Sequence, residues 1–408
     1  MPMSSIVTAQ VQKKQPHAGT LITLFLAPAF VFANMYTTQA ILPTLGQDFH
    51  VSAPTAGLTI SVLVLSVAIG SLFYGPLSDI VGRKPVMVWA SFLVAVPTLL
   101  CGFAPNFATL VVLRAIQGLL MPGLTSVAIP YVNEQFEGRG RGLAMGIYTS
   151  GLVLGGLFAR VVSASLTGVY NWHIALLAFV LPTLIAALFM WIFLPEQYNK
   201  KLPTENLSAV IQDEVKTSFL QQTLRDMKMH LHNRRLDGAF IIGLCSFFGF
   251  VGVFTYLPYY LTGPQFHLPP IDLSLVYLLW LTGIGAPVVG TIAGRIGSRR
   301  MLAYSICCAI TGLLITLIPV LPVTLGGLSL LTLGMFSIQP AANLYLGELS
   351  TKARGTAASM YLSLYYLGGS IGAFAPGFAF LQAGWTGVVL LCIGAMLLAL
   401  ASDLILCR

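Results

Sequence analysis

The sequence predicts an all-α membrane protein in which twelve spanning helices form two pseudo-symmetric six-helix bundles. The composition, the placement of the basic residues and an internal repeat lead to this prediction. Of 408 residues, 56% are hydrophobic and only 8% are charged, and the mean hydropathy is +0.85. A soluble domain carries about 25% charged residues, so most of this chain is expected to face lipid. A spanning helix needs about 20 apolar residues, which leaves room for about twelve.

The apolar runs set the order of the elements. A polar tail, residues 1–18, precedes the run Leu21–Leu42, which is longer than a signal-peptide core and is therefore expected to remain as the first helix. The other spans are expected near 56–78, 86–104, 107–130, 141–165, 173–194, 238–261, 272–294, 301–320, 322–345, 354–380 and 384–406.

The same runs predict two domains, residues 19–194 and 238–408, joined by a linker over 195–237. Apolar residues recur at helical spacing in the linker, which indicates an amphipathic helix on the inner membrane surface. A flexible linker is the alternative, because the segment is also rich in charge.

The basic residues orient the chain. Of 21 Lys and Arg residues, 19 lie in the N-terminal tail, in alternate loops or at the last position, whereas the loops 43–55, 104–106 and 262–271 contain none. Positive loops face the cytoplasm, so both termini and the linker of this multi-pass protein are expected there. This distribution explains the net charge of +8 without a nucleic-acid partner. The expected partners are the lipid bilayer and a small-molecule substrate, and the protein is expected to be monomeric.

The two halves repeat each other. The pattern that begins at Arg141-Gly142 recurs 213 residues later at Arg354-Gly355, and Gly75…Gly82 recurs 215 residues later as Gly290…Gly297. A six-helix unit duplicated in parallel predicts a binding site between the halves.

One charged turn lies between the second and third predicted spans, and its residues are Gly75, Asp79, Gly82, Arg83 and Lys84. Glycine permits a sharp turn there. The pattern G-x-L-S-D-x-x-G-R-K resembles the signature loop of the major facilitator superfamily. The resemblance implies that Asp79 and Arg83 form a latch, which closes the inner side while the cavity opens outward.

Two further patterns resemble motifs of the same family. Arg114-Ala115-Ile116-Gln117-Gly118 is similar to R-x-x-Q-G, and the fifth span is similar to an antiporter signature, G-P-x-x-G-G, although Leu152 stands where proline is expected. Small residues are expected to bring the fifth and eighth helices close together. The expected packing residues are Gly151, Gly155, Gly156, Gly368 and Gly369.

Two arginines lie within predicted spans. Arg114 is interpreted as a ligand or proton-linked contact, because membrane-buried charges are functional by default. The alternative is that it pins its helix to neighbouring backbone carbonyls. Arg160 either faces the cavity or extends to the membrane interface. If both face the cavity, an anionic ligand would relieve their repulsion.

The family architecture implies a cavity lined by the first, fourth, seventh and tenth helices, with the arginines added. The candidates are Asn34, Thr38, Arg114, Gln117, Arg160, Tyr256, Gln339 and Asn343. Phe248, Phe250 and Phe254 would supply apolar or stacking walls, but a packing or lipid-facing position is the favoured alternative for each of these rings. No Asp or Glu lies deep in a predicted span, and Asn34 stands where many proton-driven exporters of the family carry an acid.

The resemblance is nearest to the efflux-type members of bacterial inner membranes, which export drugs or sugars. It implies secondary active transport of a small organic solute by alternating access, outward and driven by the proton gradient. The alternative is an uptake symporter for a small, possibly anionic metabolite. A membrane enzyme or sensor is disfavoured, because the sequence contains no catalytic dyad, triad or metal-ligand spacing. We therefore expect no enzymatic activity, cofactor or metal.

Overall fold

The computed structural model describes residues 17–195, 233–285, 292, 295–349 and 354–407, and its regular structure over these ranges is entirely helical. Most of the predicted N-terminal tail lies outside the described residues. So does most of the linker with its expected amphipathic helix.

The first half contains ten α-helices and one short 3₁₀-helix. The 3₁₀-helix, Gln39–Ile41, lies between the first two α-helices. The α-helices are α1 (Ala18–Ala33), α2 (Leu42–Asp48), α3 (Ala53–Val81), α4 (Arg83–Cys101), α5 (Phe107–Leu120), α6 (Pro122–Thr125), α7 (Ala128–Gln135), α8 (Gly138–Val169), α9 (Trp172–Leu177) and α10 (Val180–Phe193).

The described residues of the second half form five α-helices and one 3₁₀-helix. A 3₁₀-helix, Tyr277–Gly285, follows its second α-helix. The α-helices are α11 (Arg234–Thr262), α12 (Pro270–Val276), α13 (Ser298–Ile315), α14 (Leu321–Leu349) and α15 (Arg354–Ile405).

The described residues contain nine helices that are long and apolar enough to cross a membrane. One of them, α15, has non-helical backbone at Ala383 and Gly384, so it comprises two consecutive spans. Two shorter apolar helices, Ala18–Ala33 and Ile271–Thr282, complete the set. The prediction of twelve spans in an all-α membrane protein is confirmed.

Three predicted spans have different bounds in the structure. The first was expected to continue to Leu42, but α1 ends at Ala33. It ends because the Arg114 side chain occupies the carbonyl oxygens of Asn34 and Met35. The span expected over 107–130 is interrupted after Leu120, just before a proline. The span expected over 272–294 begins as α12 and continues as a 3₁₀-helix.

Three helices that begin on the predicted outer side have a polar N-cap residue. Ser52 caps α3, Asn106 caps α5 and Asn171 caps α9, and each accepts a hydrogen bond from the backbone N–H three residues later. Such a cap satisfies one of the four N–H groups that a helix start leaves unpaired, and stabilises the helix by about 1 kcal/mol. These caps fix where the chain re-enters the bundle.

The internal repeat is visible in the packing. Gly155 lies so close to α1 that a Cβ would overlap the carbonyl oxygen of Ala29, and Gly368 makes the same approach to the carbonyl oxygen of Leu244. The turn at Gly82 also has its counterpart at Gly297, with φ values of 104° and 95°. Both values lie in the region that favours glycine. The two halves are therefore copies of one unit.

The halves meet where α3 runs beside the first part of α15. The hydroxyl oxygens of Ser61 and Ser370 lie 3.1 Å apart across this contact, and the Tyr259 hydroxyl donates to the carbonyl oxygen of Leu42 at 3.0 Å. Both contacts lie on the predicted outer side. The opposite end of α3 is mostly exposed, with Phe73 at 66% and Ile80 at 79%. The halves are thus joined on the outer side in this conformation.

Candidate functional site

One buried arginine lies between the halves, surrounded by aromatic rings. Arg160 of α8 is 0% exposed. Its guanidinium carbon lies 3.9 Å from the centroid of Tyr36 and 3.7 Å from that of Trp280. The centroid of Tyr277 is 5.6 Å away. With Gln39, these five residues form what we call the Arg160 cluster, and Tyr277 and Trp280 belong to the second half.

Local backbone geometry brings the cluster together. A 3₁₀-helix has three residues per turn, so Tyr277 and Trp280 project from the same side of their segment. One turn before Arg160 lies Gly156, where a Cβ would be only 2.8 Å from the Trp280 ring. The absence of a side chain at Gly156 therefore lets the indole reach the guanidinium.

The described hydrogen-bond acceptors of the Arg160 guanidinium are neutral groups. The Gln39 amide oxygen accepts from Arg160 Nε at 2.8 Å and also from Nη2, and the carbonyl oxygen of Gly156 accepts from Nη1 at 2.7 Å. Within the described ranges no Asp or Glu forms an ion pair with Arg160. A cation over desolvated aromatic faces gains about 2 kcal/mol or more, so the rings compensate part of the lost hydration.

Gln39 also ties the cluster to the second half. Its Nε2 donates to the Thr255 hydroxyl on α11 at 3.0 Å. Gln39 thus connects a cation of the first half with a hydroxyl of the second. Any motion that separates the halves on this side must break that hydrogen bond.

Two donors of the cluster lack acceptors. The Tyr277 hydroxyl and the Trp280 indole N–H are buried, and neither has a hydrogen-bond partner among the described residues. Buried polar groups are usually paired, so each such exception needs an explanation. Both groups lie on rings that surround the guanidinium.

Arg114 lies in a different environment, inside the first half. Its Nε donates to the Thr59 carbonyl oxygen at 3.0 Å, and Nη2 donates to that of Met35 at 2.9 Å. Nη1 reaches the Asn34 carbonyl oxygen at 2.6 Å and the Gln117 side-chain oxygen at 2.7 Å. This geometry matches the alternative in which Arg114 pins its helix to neighbouring carbonyls. A ligand role for Arg114 stays a prediction.

Asn34 and Gln117 extend this network across the interior of the first half. Asn34 Oδ1 accepts from the Thr98 hydroxyl at 2.9 Å and from Gln117 Nε2 at 3.1 Å, and Asn34 Nδ2 donates to the Thr183 hydroxyl at 3.0 Å. The network joins α4, α5 and α10 to the end of α1. Because every partner lies within one half, the network stabilises that bundle.

The remaining cavity candidates are dispersed. Tyr256 donates to the Ala373 carbonyl oxygen at 2.9 Å and packs at the outer contact between the halves. Thr38 is fully buried and accepts from the Thr59 hydroxyl at 3.3 Å. Gln339 and Asn343 are exposed on α14, where Gln339 accepts from the Tyr365 hydroxyl at 3.3 Å. Among the described hydrogen bonds, none joins these four residues to Arg160.

The glycines of the fifth span pack differently from the prediction. Gly151 and Gly155 press α8 against α1, because a Cβ on either would overlap backbone oxygens of that helix. Only Gly156 faces the segment that contains Trp280. In the second half, Gly368 packs against the α11 backbone and Gly369 against the Phe247 ring. Apart from Gly156, the nearest partners of these glycines therefore belong to the first helix of each half.

The charged turn lies at the exposed end of α3. Arg83 Nη2 lies 2.5 Å from Asp79 Oδ1 and 3.1 Å from Glu134 Oε1, and all three residues belong to the first half. The Asp79 side chain is 62% exposed. Gly75 has open space around its Cα, and Lys84 is partly buried. The latch to the second half stays a prediction about the other conformation.

Sequence reasoning missed four residues of the cluster: Gln39, Tyr36, Tyr277 and Trp280. Aromatic residues are abundant in these spans, so the rings carried no distinctive signal. Gln39 was detectable in principle, because it is a polar residue inside an apolar run, five residues after Asn34. Arg160 is the one member of the cluster that the sequence indicated, and the structure shows that it is buried rather than extended to the interface.

Two repeated six-helix bundles with a buried polar cluster between them define a membrane transporter. The Major Facilitator Superfamily profile matches residues 24–373. The chain belongs to the Major Facilitator Superfamily.

Two curated relatives resemble nearly the whole chain. The uncharacterized MFS-type transporter YybF of Bacillus subtilis (strain 168) is 32% identical over 381 residues, which cover 93% of this chain and 91% of the relative. The inner membrane transport protein YnfM of Escherichia coli (strain K12) is 33% identical over 368 residues, 90% of this chain and 85% of the relative.

A solved structure shares the fold. A bacterial homologue of the human lysosomal transporter Spinster, in an inward-facing and occupied conformation, superimposes with a TM-score of 0.74. The match covers 96% of each chain at 14% identity. The protein is therefore a multi-pass membrane transporter with the major facilitator fold.

Proposed function

We propose that this transporter moves a small organic solute by alternating access and binds it at the Arg160 cluster. The proposal rests on the fact that both halves contribute residues to the cluster. Arg160, Tyr36 and Gln39 belong to the first half, and Tyr277 and Trp280 belong to the second. When the halves rock apart, these groups separate. A solute held by both sets of residues therefore binds in a way that depends on the conformation.

The transport cycle follows from where the halves touch. In this conformation Gln39, Ser61 and Leu42 bond to the second half on the predicted outer side. In the opposite conformation these contacts open, and Asp79 and Arg83 close the inner side. The solute then reaches the Arg160 cluster from one side at a time.

Export driven by the proton gradient is the direction we favour, on the resemblance to efflux-type members. Uptake of an anion is the second candidate, and the buried Arg160 favours an anion in either direction. Among the described residues, one acidic side chain is buried, that of Asp403 near the inner end of α15. Its Oδ1 lies 3.8 Å from Arg299 Nε. A proton carrier in the centre is thus not among the described acids.

Vesicle transport tests this function. A thermal-shift screen of purified protein against organic acids, sugars and drugs selects solutes. Their flux is then measured in right-side-out and inverted vesicles under an imposed pH gradient. Export predicts gradient-driven accumulation in inverted vesicles, and uptake predicts it in right-side-out vesicles. Absence of flux for every stabilising solute in both preparations would exclude transport.

A further inference from the structure

We propose that the Arg160 cluster is a carboxylate-binding site, in which the Gln39 amide oxygen holds the place of the substrate carboxylate. The inference rests on the proposed function and adds the chemical class of the substrate. It also assigns a coupling role to Gln39.

The Arg160 charge has no acidic partner among the described residues. Arg160 is 0% exposed, and its described partners are an amide oxygen, a backbone carbonyl oxygen and ring faces. None of these neutralises the charge. A buried cation without an anion is unfavourable, and a carboxylate is the group whose two oxygens match the guanidinium fork.

Independently of the charge, two hydrogen-bond donors of the cluster need acceptors. The Tyr277 hydroxyl and the Trp280 indole N–H are buried without acceptors among the described residues. An indole N–H can only donate, so it needs an acceptor. A carboxylate offers about four acceptor positions, enough in number for the guanidinium and both ring donors. A cationic solute would meet repulsion from Arg160 and leave both donors unpaired.

The surroundings define the rest of the solute. The ring centroids of Phe250, Phe336 and Phe254 lie 5.0, 5.4 and 5.6 Å from that of Trp280. These rings form an apolar wall beside the polar groups. The wall suits an aromatic or aliphatic monocarboxylate better than a polyanion or a free sugar.

Gln39 connects carboxylate binding to movement. Its Oε1 accepts from Arg160, and its Nε2 donates to Thr255 in the other half at 3.0 Å. A carboxylate that takes the guanidinium displaces Oε1 and removes the bonds that orient the amide. The bond to Thr255 is then lost, and the outer closure weakens when substrate is present.

The first test uses purified protein in detergent with benzoate, phenylacetate and hexanoate, each compared with its amide. Binding is measured by thermal shift and by tryptophan fluorescence. We expect the carboxylates to bind and the amides not to. Arg160→Gln should weaken carboxylate binding at least about tenfold, because a charged hydrogen-bonded partner is removed. Arg141→Gln, an exposed control on the same helix, should bind as the wild type does. Equal responses to acids and amides, no response to any acid, or unchanged binding in Arg160→Gln would overturn the proposal.

The second test addresses Gln39. Gln39→Glu supplies a tethered carboxylate, so the folded variant should lose the response to benzoate. Gln39→Ala removes the placeholder and should bind benzoate several-fold more tightly than the wild type. Gln47→Glu adds the same charge at an exposed position and serves as the control. Wild-type benzoate affinity in Gln39→Glu would contradict the placeholder role. If only neutral solutes showed gradient-driven flux, the carboxylate site would be contradicted but the transport function would stand. If no solute showed any flux, the transport function itself would be contradicted.

Discussion

The guanidinium carbon of Arg160 lies 3.7 Å from the centroid of the Trp280 ring, although the two residues belong to different halves of the protein. The contact buries a cation in the interface and not within a bundle. Arg114, by contrast, is bonded entirely within the first half. The two intramembrane arginines therefore have different expected roles, which mutation can separate.

Replacing Arg114 should lower stability. Arg114→Gln leaves the carbonyl oxygens of Asn34, Met35 and Thr59 without their charged donor inside the bundle. Bonds to charged groups contribute about 1.5–3 kcal/mol each, so the apparent free energy of unfolding should fall by about 3 kcal/mol or more. Thermal unfolding in detergent measures this loss, with Arg141→Gln as the control. An Arg114→Gln protein that melts with the wild type would refute the packing role.

The close contact of α8 with α1 should tolerate no added methyl group. Gly155→Ala puts a Cβ against the Ala29 carbonyl oxygen, and overpacking of this kind costs about 1–3 kcal/mol. Gly142→Ala on the same helix has open space, and alanine is the better helix former by up to about 1 kcal/mol. The melting temperature should therefore drop for the first variant and stay level or rise for the second. The reverse order would show that the two glycines have other roles.

The charged turn should affect turnover more than stability. Asp79 is largely exposed in this conformation, and exposed ion pairs contribute about 0–1 kcal/mol. Asp79→Asn should melt close to the wild type but transport solute more slowly, because the inner latch of the other conformation is weakened. Initial flux rates in proteoliposomes, corrected for the amount of folded protein, measure the effect. Unchanged kinetics would argue against a latch.

If the solute is an anion, its flux should respond to voltage. A potential of 100 mV changes the free energy of one translocated charge by about 2.3 kcal/mol. An inside-negative potential should speed the exit of benzoate from proteoliposomes, and the opposite potential should slow it. Valinomycin with potassium gradients sets the voltage. A flux that does not change with the potential would contradict the movement of net charge. It would indicate an electroneutral cycle in which a proton is carried together with the anion.

Much of the fold follows from local sequence signals. Twelve apolar runs and the glycine turn at Gly82, with its counterpart at Gly297, were predictable because length, hydropathy and a positive φ are local properties. The early end of α1 was not, because it depends on Arg114, which is distant in sequence.

The candidate site was predictable only in part. The family architecture implied Asn34 and Gln117 as cavity residues, but it does not distinguish the interior of a bundle from the surface between bundles. Arg160 was identified from its charge alone. Its partners Tyr277 and Trp280 depend on a 3₁₀ segment whose geometry the apolar pattern does not reveal. Pairings between halves are set by tertiary packing.

Cross-linking the halves tests the central claim most directly. The Ser61 and Ser370 hydroxyl oxygens lie 3.1 Å apart across the outer contact, so Ser61→Cys combined with Ser370→Cys should form a disulfide on oxidation. Flux of a selected solute is measured in proteoliposomes before oxidation, after oxidation and after reduction, with each single variant as a control. Alternating access about the Arg160 cluster predicts that flux stops in the oxidised double variant and returns on reduction. Full flux through the cross-linked protein would contradict the account.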